Sequence, residues 1–414
     1  MCELLRDKSA NALILAAFTL SVLVGAAGLA TDTIQWTLWK RQLQREADSA
    51  AVAAALSNAQ GGSAQSAATA ELDRYNLVTL SSTPVIQVGP TTGPYTGNTK
   101  AVRVALQTSR QLPFSSFFTS SVPIINAEAT AAAVSFGQYC VIALEQTTAT
   151  GVTLWGNTTV NLGCGISSNS QGSAAVSAGG SATITASPIA AVGGVPQTNN
   201  YTAGTTFVPY TIAQPDPYAS LPDPTPSSCS GQLSVNSNQT RRINNNSGVS
   251  CYRGMDLKGN VTFDPGIYYI DGSAGGSLDI GSQAVVNAPG VVFILTTTSA
   301  DYSTVARVNM NGGAQVNLTA PISGTYAGIM MYQDRRATTN SSNLVNGNAS
   351  SVYQGSLYFP QQSLTFSGTS GMNTNCMQIV ARQVTFTGDS AITNVCPTGS
   401  GSSSITGIQI RLVN

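Results

Sequence analysis

The chain has 414 residues, enough to bury a substantial core, and its 18 Lys and Arg are balanced by 18 Asp and Glu. With 9% charged residues and no net charge, it carries no electrostatic footprint for nucleic acid. Histidine is absent, which excludes Ser-His-Asp and Cys-His catalysis, imidazole metal sites and the imidazole pH switch.

Residues 1–8 read as a short cytoplasmic tail. Cys2 in it is an unmodified thiol, because no apolar signal core precedes it. Between Lys8 and Asp32 there is no charge, and residues 12–30 are almost wholly apolar. A run of roughly 20 such residues at ~1.5 Å rise crosses a bilayer's hydrocarbon core, so residues 9–31 are expected to be a transmembrane helix. Trp36, Leu38, Leu43, Ala47, Ala50 and Ala54 continue a helical, Ala-rich pattern, and no proline intervenes before Pro84. One long helix over 9–58 is expected, its first half in lipid, ending near Gly61-Gly62. A cleaved secretory signal is the rival reading, with small-residue cleavage candidates at 25–27 and 28–30. The length of the apolar run and the helix that follows it favour a retained anchor.

A second helical pattern covers 63–75, and strand-like runs follow at 85–88, 101–106 and 124–134, separated by Pro90, Gly93-Pro94, Gly97 and Pro113. Residues 32–135 thus form an extended helix with a small antiparallel β region, the layout of pilins at fold level only. From Phe136 onward short strands alternate apolar with small polar residues, as at 152–154, 159–162 and 182–185. A Pro-rich excursion near 188–226 interrupts them. They resume at 261–263, 267–270, 291–295, 316–318, 329–332 and 357–359. The composition of 170–187 and 399–404 by itself reads as disorder.

An internal repeat sets the expected fold of 136–414. Leu364-Thr-Phe-Ser-Gly368, with Cys376 eight residues after its glycine, matches Val384-Thr-Phe-Thr-Gly388 with Cys396 eight after. A period of this size is what a β-solenoid, a parallel β-helix-like stack of coils, produces; a β-sandwich is the alternative. Adjacent coils lie about 4.8 Å apart, within disulfide reach at equivalent positions. Six cysteines follow the span, at offsets of 24, 22 and 20 residues, so the expected pairs are Cys140–Cys164, Cys229–Cys251 and Cys376–Cys396. An even set on one side of a membrane belongs to an oxidising compartment, which places the C-terminal part outside the cytoplasm. The fold expected is mostly β: a long N-terminal transmembrane α-helix, a small pilin-like α+β region and a C-terminal β-solenoid.

No C-x-x-C, phosphate loop, H-E-x-x-H or G-x-S-x-G occurs, so no catalytic residue, cofactor or metal is expected. Asp334-Arg335-Arg336 and the scattered Asp256, Asp264, Asp271, Asp279, Asp301 and Asp389 are the available charges. The Asp-Arg-Arg run reads as a solvated, self-paired turn. Asp271-Gly-Ser273-Ala-Gly275 begins like a von Willebrand A metal motif but lacks its last serine, and the alternating helix–strand pattern of that fold is missing.

The N-terminal residues resemble a known family. Gly28-x-Ala30-x-Asp32, then Leu43-Gln44-Arg45-Glu46-Ala47-Asp48-Ser49-Ala50-Ala51, is similar to the N-terminal segment of TadE/TadG-type tight-adherence pilus-assembly proteins. The runs 326–334 and 355–360 and the repeat also look like the C-terminal region of TadG-like proteins. Glu46 stands where that family has a small residue. Processed TadE-type pseudopilins carry a Gly before the span and a Glu five residues after it; Ser9 and the absence of Glu from residues 10–30 depart from that, in keeping with a permanent anchor. The resemblance implies a single-pass, non-enzymatic protein of the bacterial inner membrane, its C-terminal domain in the periplasm, supporting assembly or anchoring of Flp-type pili. Its expected partners are the bilayer through 9–31, other Tad components or pilin, and peptidoglycan or another glycan. A membrane-tethered solenoid that binds or cleaves glycans, and a surface adhesin, are the alternatives.

Overall fold

The structure, a computed structural model, describes residues 8–74, 77–226, 228–338, 341–370, 372–392, 396–402 and 405–413. Of the expected tail only Lys8 falls among them, and Cys2 lies outside the described residues. The chain forms two compact units, Met1–Val134 with Gln409–Asn414, and Ser135–Ile408.

In the first unit, α1 (Lys8–Ala59) is one helix of 52 residues. It ends where Gly61 adopts φ +76° and Gly62 N–H donates back to Ser57 O at 2.8 Å, a left-handed stop that only glycine takes without strain. Ser63 Oγ then accepts from Ser66 N–H and opens α2 (Ala64–Arg74). Strands β1 (Val85–Val88), β2 (Ala101–Ser109) and β3 (Ile124–Ala143) pair antiparallel. Period-two alternation turns Val102, Val104 and Leu106 of β2, and their cross-strand partners Ala131, Ala129 and Ala127 of β3, to one face. Leu43, Ala47, Ala50, Ala51 and Ala54 of α1 and Ala64, Ala68 and Leu72 of α2 cover that face. The alanines keep the helix close to the sheet at little cost in side-chain entropy.

The second unit is a large stack of parallel strands in three ladders. The first runs from Leu233–Val235 through Met255–Leu257, Leu278–Ile280, Val308–Met310 and Ser342–Val345 to 363–368 and 383–388. The second begins with Thr240–Ile243, Asn260–Phe263, Val285–Pro289 and Gln315–Thr319. The third takes in Val249–Tyr252, Gly266–Asp271, Val291–Thr296, Ile329–Gln333, 356–359 and 376–381. The two copies of the sequence repeat are direct neighbours: Leu364 pairs with Val384, Phe366 with Phe386 and Gly368 with Gly388.

The spatial order is not the chain order. The last passage of the chain pairs with the first: Val384–Phe386 with Val152–Leu154, Ile379–Ala381 with Val141–Ala143, and Ser390–Ile392 with Val160–Leu162. Arg382 and Glu145 close the same junction with a 2.7 Å ion pair. The stack then continues into Gly165–Ser168, Val176–Ala178, Thr183–Thr185, Ile189–Ala191 and Phe207–Val208. The segment 170–187 is therefore ordered, against the reading from composition. Val176 and Ile184 fill the core while the small polar residues between them supply ladder hydrogen bonds and outward positions. Residues 209–232 must return the chain from one end of the stack to the other, where Leu233 starts.

Disulfides join Cys140 to Cys164, Cys229 to Cys251 and Cys376 to Cys396, at sequence separations of 24, 22 and 20. One continuous core fills the inside of the ladders, with Phe263 edge-on to Phe293 at 5.2 Å and Phe366 to Phe386 at 6.3 Å. The third ladder is apolar on both faces. Its outward residues Ile142, Val292, Ile294, Tyr332, Tyr358 and Val380 form a second buried cluster with Tyr218 and Leu221. Truncating Phe293, 1% exposed between these layers, removes a ring that the stacked backbones cannot collapse to fill. Phe293→Ala is expected to cost about 3–5 kcal/mol, read as a lowered urea midpoint of the second unit's far-UV transition.

Candidate functional site

Of the residues singled out in the N-terminal segment, those after Asp32 lie where α1 packs on the sheet. Leu43, Ala47 and Ala50 are fully buried against β2 and β3. Gln44 Nε2 donates to Asp48 Oδ1 at 2.9 Å and to the Glu128 carbonyl of β3 at 2.8 Å, and Lys40 Nζ donates to the Asn126 carbonyl. Leu43, Gln44, Ala47 and Asp48 therefore fasten the helix to the sheet. Glu46, the departure from the family pattern, is also used: its Oε1 accepts from Leu77 and Val78 N–H at 3.2 and 3.1 Å, holding the segment after α2. Burial pushes its carboxyl pKa up, against those two hydrogen bonds.

Gly28 and Asp32, one helical turn apart, form a second contact with the loop between β2 and β3. The ring of Phe114 lies on Gly28 so closely that a Cβ there would sit 2.2 Å from it. Asp32 accepts from Phe114 N–H at 2.8 Å, from Ser115 N–H at 2.6 Å and from the Ser115 hydroxyl, which starts the short helical turn Ser115–Phe117. Ala30 is exposed and takes no part. Sequence reading missed Phe114 and Ser115, using only Pro113 as a strand breaker. The signal available was three phenylalanines within the uncharged residues 111–123. Below this contact, Ile14, Phe18, Leu20, Val22, Leu23 and Leu29 of α1 are exposed and unpartnered.

In the second unit Asp334-Arg335-Arg336 is not a solvated turn. Asp334 is fully buried, accepting from Thr296 Oγ1 at 2.8 Å and from Arg336 Nε and Nη2 at 2.9 and 2.7 Å. The guanidinium of Arg335 donates to the Tyr218 and Ala219 carbonyls, and that of Arg336 to the Pro224 carbonyl. The triplet holds the returning segment as it crosses the third ladder. That strap steps across the stack: Gln214 exchanges hydrogen bonds with Asn169 and Ile408, Asp216 accepts from Tyr358 OH, and Tyr218 OH bonds Ser356 and Gln378. Burial pushes the Tyr218 phenol up to about 12, so it stays a neutral donor. Asp271 is likewise buried, accepting from Ser273 and Thr298. Asp256 pairs with Lys258 and Asp264 with Arg242. Among the described residues no three His, Cys, Asp or Glu side chains converge as metal ligands would.

The described residues thus comprise one long helix, apolar enough at its start to cross a membrane, and a large parallel-strand domain. The sequence profile of the family described as putative Flp pilus-assembly TadE/G-like proteins matches residues 10–60, α1 almost end to end, and points to Flp pilus assembly. No curated protein and no solved structure matches the chain.

Replacing Asp334 by Asn leaves Arg336 without its counter-charge. The expected loss is about 3 kcal/mol, with faster proteolysis confined at first to residues 209–226. For Glu46 the folded pKa lies above the ordinary 4.5, so the native state binds more protons than the unfolded chain just above that value. Stability of the first unit then falls as pH rises through the raised pKa. Glu46→Gln keeps an acceptor for Leu77 and Val78, and is expected to abolish this fall and to raise the neutral-pH melting temperature.

Proposed function

We propose that the protein is a non-enzymatic, single-pass component of Tad/Flp pilus assembly. It is anchored in the bacterial inner membrane through residues 9–31 and presents its second unit in the periplasm as a β-solenoid binding surface. The observation that carries this reading is the coincidence of the TadE/G-like match with a helix whose large apolar side chains from Ile14 to Val24 are exposed and whose second half is the spine of a folded unit. The three disulfides support an oxidising compartment. The parallel ladders and the in-register repeat support a solenoid, whose long faces suit partners such as pilin or other Tad components. A glycan-cleaving role has less behind it, because Asp334 and Asp271 are committed to internal hydrogen bonds and Asp256 and Asp264 to ion pairs.

Deleting the chain from its host is expected to remove surface pili, counted by electron microscopy. A full-length copy is expected to restore them, and one with residues 1–31 replaced by a cleavable signal is not. Normal piliation after deletion would sink the assembly role, and rescue by the cleaved form would sink the anchor.

A further inference from the structure

The loop between β2 and β3 carries an apolar surface that nothing in its own unit covers. Phe117 is 83% exposed and Phe118 78%, with Val122 and Ile124 beside them also exposed. Residues 111–123 contain no charge, only hydroxyl, amide and apolar side chains. Single exposed hydrophobics are ordinary, but two adjacent exposed phenylalanines in an uncharged loop are not.

The position of this loop along α1 identifies its occupant. Arg110, at the start, lies over the Trp39 ring at 5.2 Å. Four residues later Phe114 lies on Gly28, eleven positions nearer the helix N-terminus. The chain therefore descends α1 from its charged stretch, Lys40, Arg41 and Arg45, to a residue inside the uncharged run of 9–31, and is pinned there by Asp32. Leu23 and Leu29 of the span, on either side of Gly28, are exposed as well. Aromatic rings and hydroxyl groups at the level where a span meets water fit the boundary between lipid headgroups and acyl chains.

Resting on the anchor reading above, we propose that this loop is a second membrane contact, with Phe117 and Phe118 inserted into the outer leaflet boundary beside α1. Gly28 and Asp32 set its depth: the glycine admits Phe114 against the helix, and the carboxylate fixes the turn that aims the next two phenylalanines. A helix alone can rotate and tilt in the bilayer, whereas a helix and a loop fixed to it cannot do so independently.

The test uses the full chain carrying Cys2→Ser, with its other cysteines in disulfides, and one nitroxide label at Phe117→Cys or Phe118→Cys. It is reconstituted in phosphatidylcholine–phosphatidylglycerol vesicles, with labels at Leu20→Cys and Thr92→Cys as references inside the span and in water. The expected result is collision with a water-soluble nickel chelate about fivefold or more below the Thr92 reference at both loop positions, with ready access for oxygen. Adding Gly28→Leu is expected to restore the chelate's access. Loop labels as accessible as Thr92, with Leu20 shielded, would overturn the proposal while leaving the anchor standing. An accessible Leu20 would overturn both. Loop labels open in vesicles but shielded in native membranes would assign the patch to a protein partner, and overturn the lipid contact.

Discussion

The structure of the second unit depends on one pairing, that of the chain's last strands with its first. Parallel strands leave unpaired N–H and C=O groups on any edge, and stacked passages satisfy them only through the next passage. Here residues 379–386 find their neighbours in residues 141–154, more than two hundred positions earlier. Because the early passages occupy one end, the chain after Val208 has to travel the length of the stack before Leu233 can begin at the other. The strap over the third ladder is the physical result, and the buried Asp334 with its two arginines is the fastening that result requires. A sheet apolar on both faces needs cover on both, and Tyr218 and Leu221 supply it on the outside.

The first unit follows a different logic, in which a helix too long for its own domain is used twice. Its C-terminal half is packed by alanines against a three-stranded sheet, and nearer its N-terminus the large apolar side chains from Ile14 to Val24 are exposed. Between them, Gly28 and Asp32 mark the change of environment. The segment matched by the TadE/G-like family model, residues 10–60, covers all three regions.

Much of this was legible in the sequence. The uncharged run before Asp32 and the alanine pattern after it required a helix, and the φ-T-F-[ST]-G repeat proved to be two strands lying in register. Local patterns show which residues face inward, since period and apolarity are properties of neighbouring positions. They do not show which distant passage comes to lie beside which, so the joining of the last strands to the first had no local signature. The Asp334-Arg335-Arg336 run is self-paired as read, but its solvation was misread for the same reason: Thr296, which donates to Asp334, and the Tyr218 and Pro224 carbonyls, which accept from Arg335 and Arg336, are remote in sequence. The polar composition of residues 170–187 misled because backbone ladders there do the work that large side chains do elsewhere.

The pairing of the last strands with the first also sets an order of events. A chain under synthesis emerges from its N-terminus, and domains ordinarily fold in that sequence. Here residues 139–191 cannot complete their ladders until residues 376–392 have arrived. The first unit waits too, since Ile410 enters its core and Val413 N–H bonds the Thr130 carbonyl at 2.8 Å. Such long-range pairing folds slowly, and the early strands stay open-edged while the rest of the chain is delivered.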